Sequence, residues 1–388
     1  MPTRRLYHAD STLRRFEATV VSQTMHAGKP AIILEETAFY PEAGGQLGDR
    51  GRLAGIEVVD TQETDGGAIV HLLATAGPEA GARITGEIDW ARRRQHMAQH
   101  TGQHLLSGAL LDRAAAPTAS ARLGETTLTI DVQRDRIPEV ELAAAEDLAN
   151  DLIDDDLPVR AWFPDAAELA AIKLRRDPKV DADIRVVAIG EFDFSPCGGT
   201  HCERTSQLGA IRIIGAERYK GMTRVTFTAA RRGRAGLFTH DHVLRGLGTQ
   251  LSCAPTEVPA AIDKLRRDTE GVRTELTALR GQLANAIIAT LPGTGSVIAA
   301  IPGDPELLRS VGAKLVSAGR DALLCAPDET GAAVVLFRAA GSTLDCGALW
   351  KQLAAQLGGR GGGRADRAEG RLAAPVTDWP ALIASLSS

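Results

Sequence analysis

Apolar positions in the first 90 residues fall into short β-type runs separated by turns. Phe16–Ser22 and Ala31–Leu34 are two such runs, Gly51–Asp60 alternates loosely, and Ala68–Leu73 follows a Gly66-Gly67 turn. A small β-barrel is the expected arrangement. From Trp90 to Ala115 the period changes, and Met97, His100, His104, Leu105 and Leu111 recur at helical spacing. Beyond it, strands are expected at Thr126–Val132, Ile184–Ile189, Ala210–Ile214 and Thr223–Phe227. A helix rich in Glu and Ala is expected at Pro138–Ile153, and a loop at Phe192–Glu203. Ile262, Leu265, Thr269, Val272, Leu276, Leu279 and Leu283 step by 3 and 4 alternately, a heptad seam on a long helix. That seam can pair with a helix near 236–252 or with a second chain. The last part alternates strands at Val297–Ile301, Ala322–Cys325 and Ala332–Phe337 with helices, and Gly358–Asp366 interrupts it as a glycine-rich loop.

The pattern predicts an α+β chain in four parts. These are an N-terminal small β-barrel (1–90), an α+β domain (91–235), a helical linker (236–292) and a C-terminal small α/β domain (293–388). A hydrophobic fraction of 44% suffices for real cores, and an aromatic fraction of 4% makes them aliphatic. No run of 18 apolar residues can span a membrane and no secretory signal is present, so the cytoplasm is the expected compartment. Five irregularly spaced cysteines argue against a disulfide framework. A net charge of −5 excludes a general basic coat but leaves room for local basic patches.

The chemistry lies in two short motifs. His100-Thr-Gly-Gln-His104 puts two imidazoles on one face of a helix, one turn apart. Cys197-Gly-Gly-Thr-His201 adds a thiolate and a third imidazole around a turn. Three nitrogens and one sulfur suit zinc better than magnesium or calcium, so one zinc per chain is expected on His100, His104, Cys197 and His201. Cys202 competes with Cys197 as the sulfur ligand. His96 lies one turn further back, too far to share the ion. Position 101 is Thr, so the His-Glu-x-x-His pattern of metalloproteases is absent, and no phosphate-binding loop is present.

At these residues the chain resembles the AlaX family of free-standing alanyl-tRNA editing proteins, and the editing half of alanyl-tRNA synthetase. Thr37–Gln46 is similar to the family's glycine-rich motif, His100–Ser107 to its first zinc motif and Pro196–His201 to its second. Leu123-Gly-Glu and Thr129-Ile-Asp131 fit the strand between them. Gly358–Gly370 resembles the glycine-rich loop of the synthetase's C-terminal domain, so the likeness to the long, C-terminally extended type covers nearly the whole chain. Gly102 replaces the commoner Ala, and Ala121-Arg122 stands where Phe-His is frequent. The Asp-His-His set of phosphoesterases is missing; His240-Asp-His242 is a different arrangement.

The resemblance implies a zinc-dependent editing domain at 91–235 that deacylates mischarged alanine tRNA, carrying serine or glycine. It also implies a C-terminal domain that binds tRNA or oligomerises, with a homodimer through the linker and that domain. An apolar pocket separates serine from alanine poorly, so the site must bond the extra hydroxyl. Thr118, Ser120 and Thr129 are candidates to read it. Gln46 and Gln103 are candidate polar contacts at the reaction centre, with Gly44 and Gly45 bordering the substrate. Arg92 and Arg93 are candidate phosphate contacts, as are Arg212, Arg218, Lys220 and Arg224, with Arg231, Arg232 and Arg234 beyond. Two other readings stay open: a zinc-stabilised tRNA-binding or dimerisation protein without hydrolysis, and an editor of another small aminoacyl-tRNA such as Ser-tRNA for threonine.

Overall fold

A computed structural model describes residues 2–178 and 180–386. It is a mixed α+β structure that divides into two compact units, Met1–Arg245 and Gly246–Ser388.

In the first unit, six strands close on themselves. Arg15–His26 pairs with Lys29–Leu34, which pairs with Ile69–Leu73, then Ile56–Glu63, Gly51–Leu53 and Arg83–Ile88, which returns to Arg15–His26. Alternation explains the interior. Phe16, Ala18 and Val20 point inward along one strand, and Ile32, Leu34, Leu53, Val58, Leu73, Ile84 and Ile88 complete the core with Phe39. Closure leaves no free edge for a foreign strand to join. Arg83–Ile88, which the sequence pattern does not single out, is the strand that closes the ring.

Trp90–Ala114 is one helix of 25 residues, capped by the Asp89 carboxylate accepting from Arg92 N. Met97, Leu105, Leu106, Ala109 and Leu110 anchor it in the core of an antiparallel sheet. That sheet runs Ile211–Tyr219, Met222–Ala229, Leu128–Val132, Thr118–Leu123. Helix Glu139–Asp154 buries Ala145, Ala149 and Ile153 in the same core. A small antiparallel sheet, Val159–Trp162, Val186–Ile189 and Asp193–Pro196, delivers the chain to the turn Cys197–His201. Residues 193–196, expected as loop, are therefore an edge strand paired with Val186–Ile189.

The second unit carries the helix Val258–Thr290 and a five-stranded sheet, with helices Pro305–Ser317, Cys346–Leu357 and Trp379–Leu386. The expected glycine-rich loop is instead a hairpin: Gly359–Gly363 pairs antiparallel with Arg367–Leu372. The indole of Trp350 covers this hairpin so closely that a Cβ at Gly361 would lie 2.7 Å from it, which is why glycine holds the position. Along Val258–Thr290, Ile262, Leu265, Val272, Leu276, Leu279 and Leu283 are all exposed. Among the described residues, no helix is long and apolar enough to cross a membrane.

Candidate metal centre

The helix Trp90–Ala114 and the turn Cys197–His201 bring His100, His104, Cys197 and His201 together, with one donor atom of each within 4.8 Å of the others. Nε2 of His100 and Nε2 of His201 each lie 3.4 Å from Cys197 Sγ. A tetrahedral zinc with ordinary bond lengths sets such sulfur–nitrogen pairs about 3.5 Å apart. Cys202 is not among the converging donors. It is buried in the sheet core, and burial pushes its thiol up to about 12.

Each imidazole faces a polar group from behind at Nδ1, within hydrogen-bonding distance for His100 and His201 and in a charge contact for His104. His100 Nδ1 lies 2.7 Å from Gln46 Oε1. The backbone N–H of Thr200 donates to the same Oε1 at 3.3 Å, which identifies Oε1 as the acceptor facing the ring, while Gln46 Nε2 donates to Thr200 Oγ1 at 2.8 Å. His201 Nδ1 lies 3.2 Å from Thr101 Oγ1. That hydroxyl spends its proton on Met97 O at 2.9 Å, so the imidazole is the donor here too. His104 Nδ1 sits 3.4 Å from the Asp193 carboxylate. Burial works to raise Asp193, but His104 and Arg175 overcome it and hold the acid at about 2. With Nδ1 protonated, Nε2 is a lone pair on each ring. Three lone pairs then converge on a buried sulfur. Burial opposes ionisation of the Cys197 thiol, and positive charge on the three imidazoles would overcome it and hold it well below the usual thiol range; with the rings neutral, a bound cation has to supply that charge instead. Such a donor set calls for a cation, and a soft or borderline divalent metal fits it.

Glycine shapes the centre at two places. Gly44 and Gly45 have φ of +59° and +87°, forming a tight turn that L side chains rarely adopt. A Cβ on Gly45 would also meet Ala121 O at 2.6 Å. This turn lies against the strand Thr118–Leu123, with Leu123 N donating to Gly45 O at 2.9 Å, and so the barrel delivers Gln46 to His100. Gly199 passes the His100 ring so closely that no Cβ fits, whereas Gly198 has open space.

A pocket of about 580 Å³ opens over the centre. It is lined by His100, Gln103, Cys197 and the glycines of both turns, with Tyr40, Ser120, Arg185 and the half-exposed Phe163 around them. A larger groove of about 940 Å³, between helix Glu139–Asp154 and the hairpin Ile211–Ala229, contains no His or Cys and no cluster of metal donors.

Two family descriptions match the chain. "Threonyl and Alanyl tRNA synthetase second additional domain" covers residues 184–226, and "tRNA synthetases class II (A)" covers residues 8–92. Alanyl-tRNA editing protein AlaX-L of Pyrococcus horikoshii is 29% identical, over 95% of each chain. The chain is similar to that editing protein along nearly the whole length of both. Alanine–tRNA ligases of Ignicoccus hospitalis and Haloquadratum walsbyi are 30% and 31% identical over 95% of this chain. The chain spans about 42% of the length of such ligases.

The other expected residues are sorted by burial. Gln46 is fully buried and holds His100 and Thr200, so it orients a donor rather than touching substrate. Gln103 lines the pocket, its Nε2 donating to Ser107 Oγ at 2.8 Å. Ser120 lines it as well, with Oγ donating to Asp131 at 2.9 Å; Thr118 and Thr129 are not among the lining residues. Arg93 cannot contact phosphate. Its guanidinium is wholly buried on Asp49 and also donates to Ser11 O at 2.8 Å. Arg92 donates to Gly48 O and Glu125. Arg212, Arg218 and Arg224 are paired with Glu146, Asp135 and Asp131, so those basic positions are largely neutralised locally. The sequence reading missed Asp193, Thr101 as an orienting group, and two further residues at the turn, His8 and Arg185.

Proposed function

We propose that this chain is a zinc-dependent aminoacyl-tRNA deacylase that clears serine, and also glycine, from alanine tRNA. The observation that carries the reading is the convergence of three oriented Nε2 lone pairs and a thiolate at the floor of an open pocket. Similarity to AlaX-L over 95% of both chains supplies the substrate class.

When bound by His100, His104, Cys197 and His201, zinc supplies Lewis acidity for an ester carbonyl or orients a water. Gln46, Thr101 and Asp193 keep the ring tautomers that such a role needs. Gln103 is placed to bond the aminoacyl group. Ser120, tied to Asp131, is placed to receive the serine hydroxyl. A site that bonds this hydroxyl leaves its own polar groups unpaired with alanine, and that asymmetry gives selectivity. Half-exposed Phe163 at the rim offers a face for the terminal base, and Arg176 offers charge for the backbone. The exposed heptad seam supports the second element of the proposal, a homodimer formed through Val258–Thr290. Sedimentation of the native chain checks it.

Deacylation of Ser-, Gly- and Ala-tRNA for alanine, with Ser-tRNA for threonine alongside, tests the function. Serine on alanine tRNA should be released about 100-fold faster than alanine, a barrier difference of roughly 3 kcal/mol. Release of none of these esters by zinc-loaded protein that still binds tRNA would replace this reading with a binding module.

A further inference from the structure

Three consecutive carbonyl oxygens of the turn Cys197–His201 are held by side chains from distant parts of the chain. Arg185 Nη1 donates to Cys197 O at 3.0 Å and to Gly199 O at 2.8 Å. His8 Nε2 lies 3.1 Å from Gly198 O. A carbonyl only accepts, so this nitrogen carries the proton. His8 comes from the short helix Leu6–Ala9 near the N-terminus, and Arg185 immediately precedes the strand Val186–Ile189.

Arg185 is only 5% exposed, and its Nε is buried without a hydrogen-bond partner. The ionisable groups acting on it are Cys197, Tyr40 and Tyr7, with no carboxylate among them. A buried guanidinium lacking a carboxylate costs several kcal/mol, and arginine cannot shed its proton to escape that cost. Holding two carbonyls of one turn is a structural return, and the turn carries a ligand at each end.

Peptide geometry links this face of the turn to the sulfur. The Gly198–Gly199 peptide is planar and trans, so its C=O and N–H point in opposite directions. With the oxygen on His8, the N–H faces the other way, and Gly199 N lies 3.4 Å from Cys197 Sγ. Hydrogen bonds in series polarise one another. An N–H donated to a thiolate lowers the energy of the sulfur lone pairs and weakens their push on a bound ion.

We propose that His8 and Arg185 are positioning residues of the metal centre: they clamp the carbonyl face of the turn and so fix the N–H···S bond that tunes the thiolate ligand. This rests on the reading that the four converging side chains hold a metal.

Cobalt(II) bound to the full chain is the probe, read by its thiolate-to-cobalt charge-transfer band and by chelator competition. His8→Phe and Arg185→Met remove the donors and keep the bulk, while His8→Gln and Arg185→Lys retain a donor. The apolar variants should bind cobalt about 10- to 100-fold more weakly, because a loosened turn no longer holds Cys197 and His201 in place, and this loss outweighs the stronger push of the freed sulfur. Their band should move to longer wavelength, because a sulfur without its N–H gives up an electron more easily. The Gln and Lys variants should recover most of both effects, with far-ultraviolet circular dichroism of the metal-free proteins checking the fold. Affinity within twofold of native and an unmoved band in His8→Phe and Arg185→Met would overturn the clamp alone. Equal weakening in apolar and conservative variants with no band shift would also overturn it, leaving a merely structural role. A native chain that takes up no cobalt would bring down the metal reading and the clamp together.

Discussion

Replacing Gly199 by alanine should strip the centre of its metal. A Cβ at this position would lie less than 3.0 Å from both Cε1 and Nδ1 of His100, and 3.2 Å from Gln46 Oε1. Carbon atoms rest about 3.5–4.0 Å apart, so the ring must retreat by roughly 1 Å. Metal–ligand distances tolerate only about 0.2 Å. The ring has no free direction of retreat, because Gln46 grips it from behind and His104 and His201 flank it with ring centroids at 5.1 and 4.4 Å. Loss of an orienting partner alone costs about 10- to 100-fold in metal affinity, or roughly 1.4–2.7 kcal/mol. Displacement of His100 itself should exceed the upper figure. Zinc affinity measured by chelator competition is the assay. Gly198→Ala is the internal control, since its Cβ would meet nothing nearer than His8 Nε2 at 3.9 Å. Gly199→Ala that binds zinc within threefold of native, with Gly198→Ala no different, would refute the reasoning.

Cys197→Ser should lose bound zinc, while Cys202→Ala should keep full zinc occupancy and lose only core stability, on the order of 1 kcal/mol; metal analysis after gel filtration separates the two. Thr101→Val removes the acceptor for His201 Nδ1 and should weaken zinc about 10- to 100-fold without changing the far-ultraviolet circular dichroism. His71 reports on the barrel. It is fully buried between Thr37 and Ile32 O, and burial pushes its imidazole down to about 4. Below pH 6.5 the unfolded chain takes up a proton that the folded ring refuses until about pH 4. The contribution of His71 should therefore be complete above that window and fall by about 3 kcal/mol across it, adding to the losses from His8 and His96 in the same window. Denaturant unfolding from pH 7 to 4 checks this, and His71→Gln should flatten the slope.

The convergence of His100, His104, Cys197 and His201 was legible because their spacing is local: four residues on a helix, and four across a glycine turn. Their orienting partners were not. Gln46 and Asp193 reach His100 and His104 only after the barrel and the small sheet have docked on the helix, so nothing in linear spacing announces them. Arg93 was misread because Arg92-Arg93-Arg94 looks like a solvated basic face. The signal was present: 93, 97, 100 and 104 step by 4, 3 and 4, which puts Arg93 on the same inward face as Met97 and the two histidines. The strand Arg83–Ile88 was missed because Gly86 breaks its β pattern. That glycine exists because the ring of Phe16 occupies the space its Cβ would need. The exposed seam on Val258–Thr290 shows the converse limit, since heptads reveal a face that wants cover and not what covers it.

The ion pair of Arg93 with Asp49 has a consequence for how such a chain can be cut or shuffled. Repeating patterns alone suggest a seam at residue 90, between barrel and helix. A chimaera that joins this helix to a barrel without Asp49 keeps the guanidinium buried and loses its carboxylate, and removing one partner of a buried pair costs about 3–5 kcal/mol. The reciprocal chimaera would strand Asp49 with the backbone N–H of Tyr40 as its remaining short contact. Recombination at that seam would therefore yield two unstable products unless both charges changed together. The barrel and the histidine helix can therefore be exchanged without loss only as one piece.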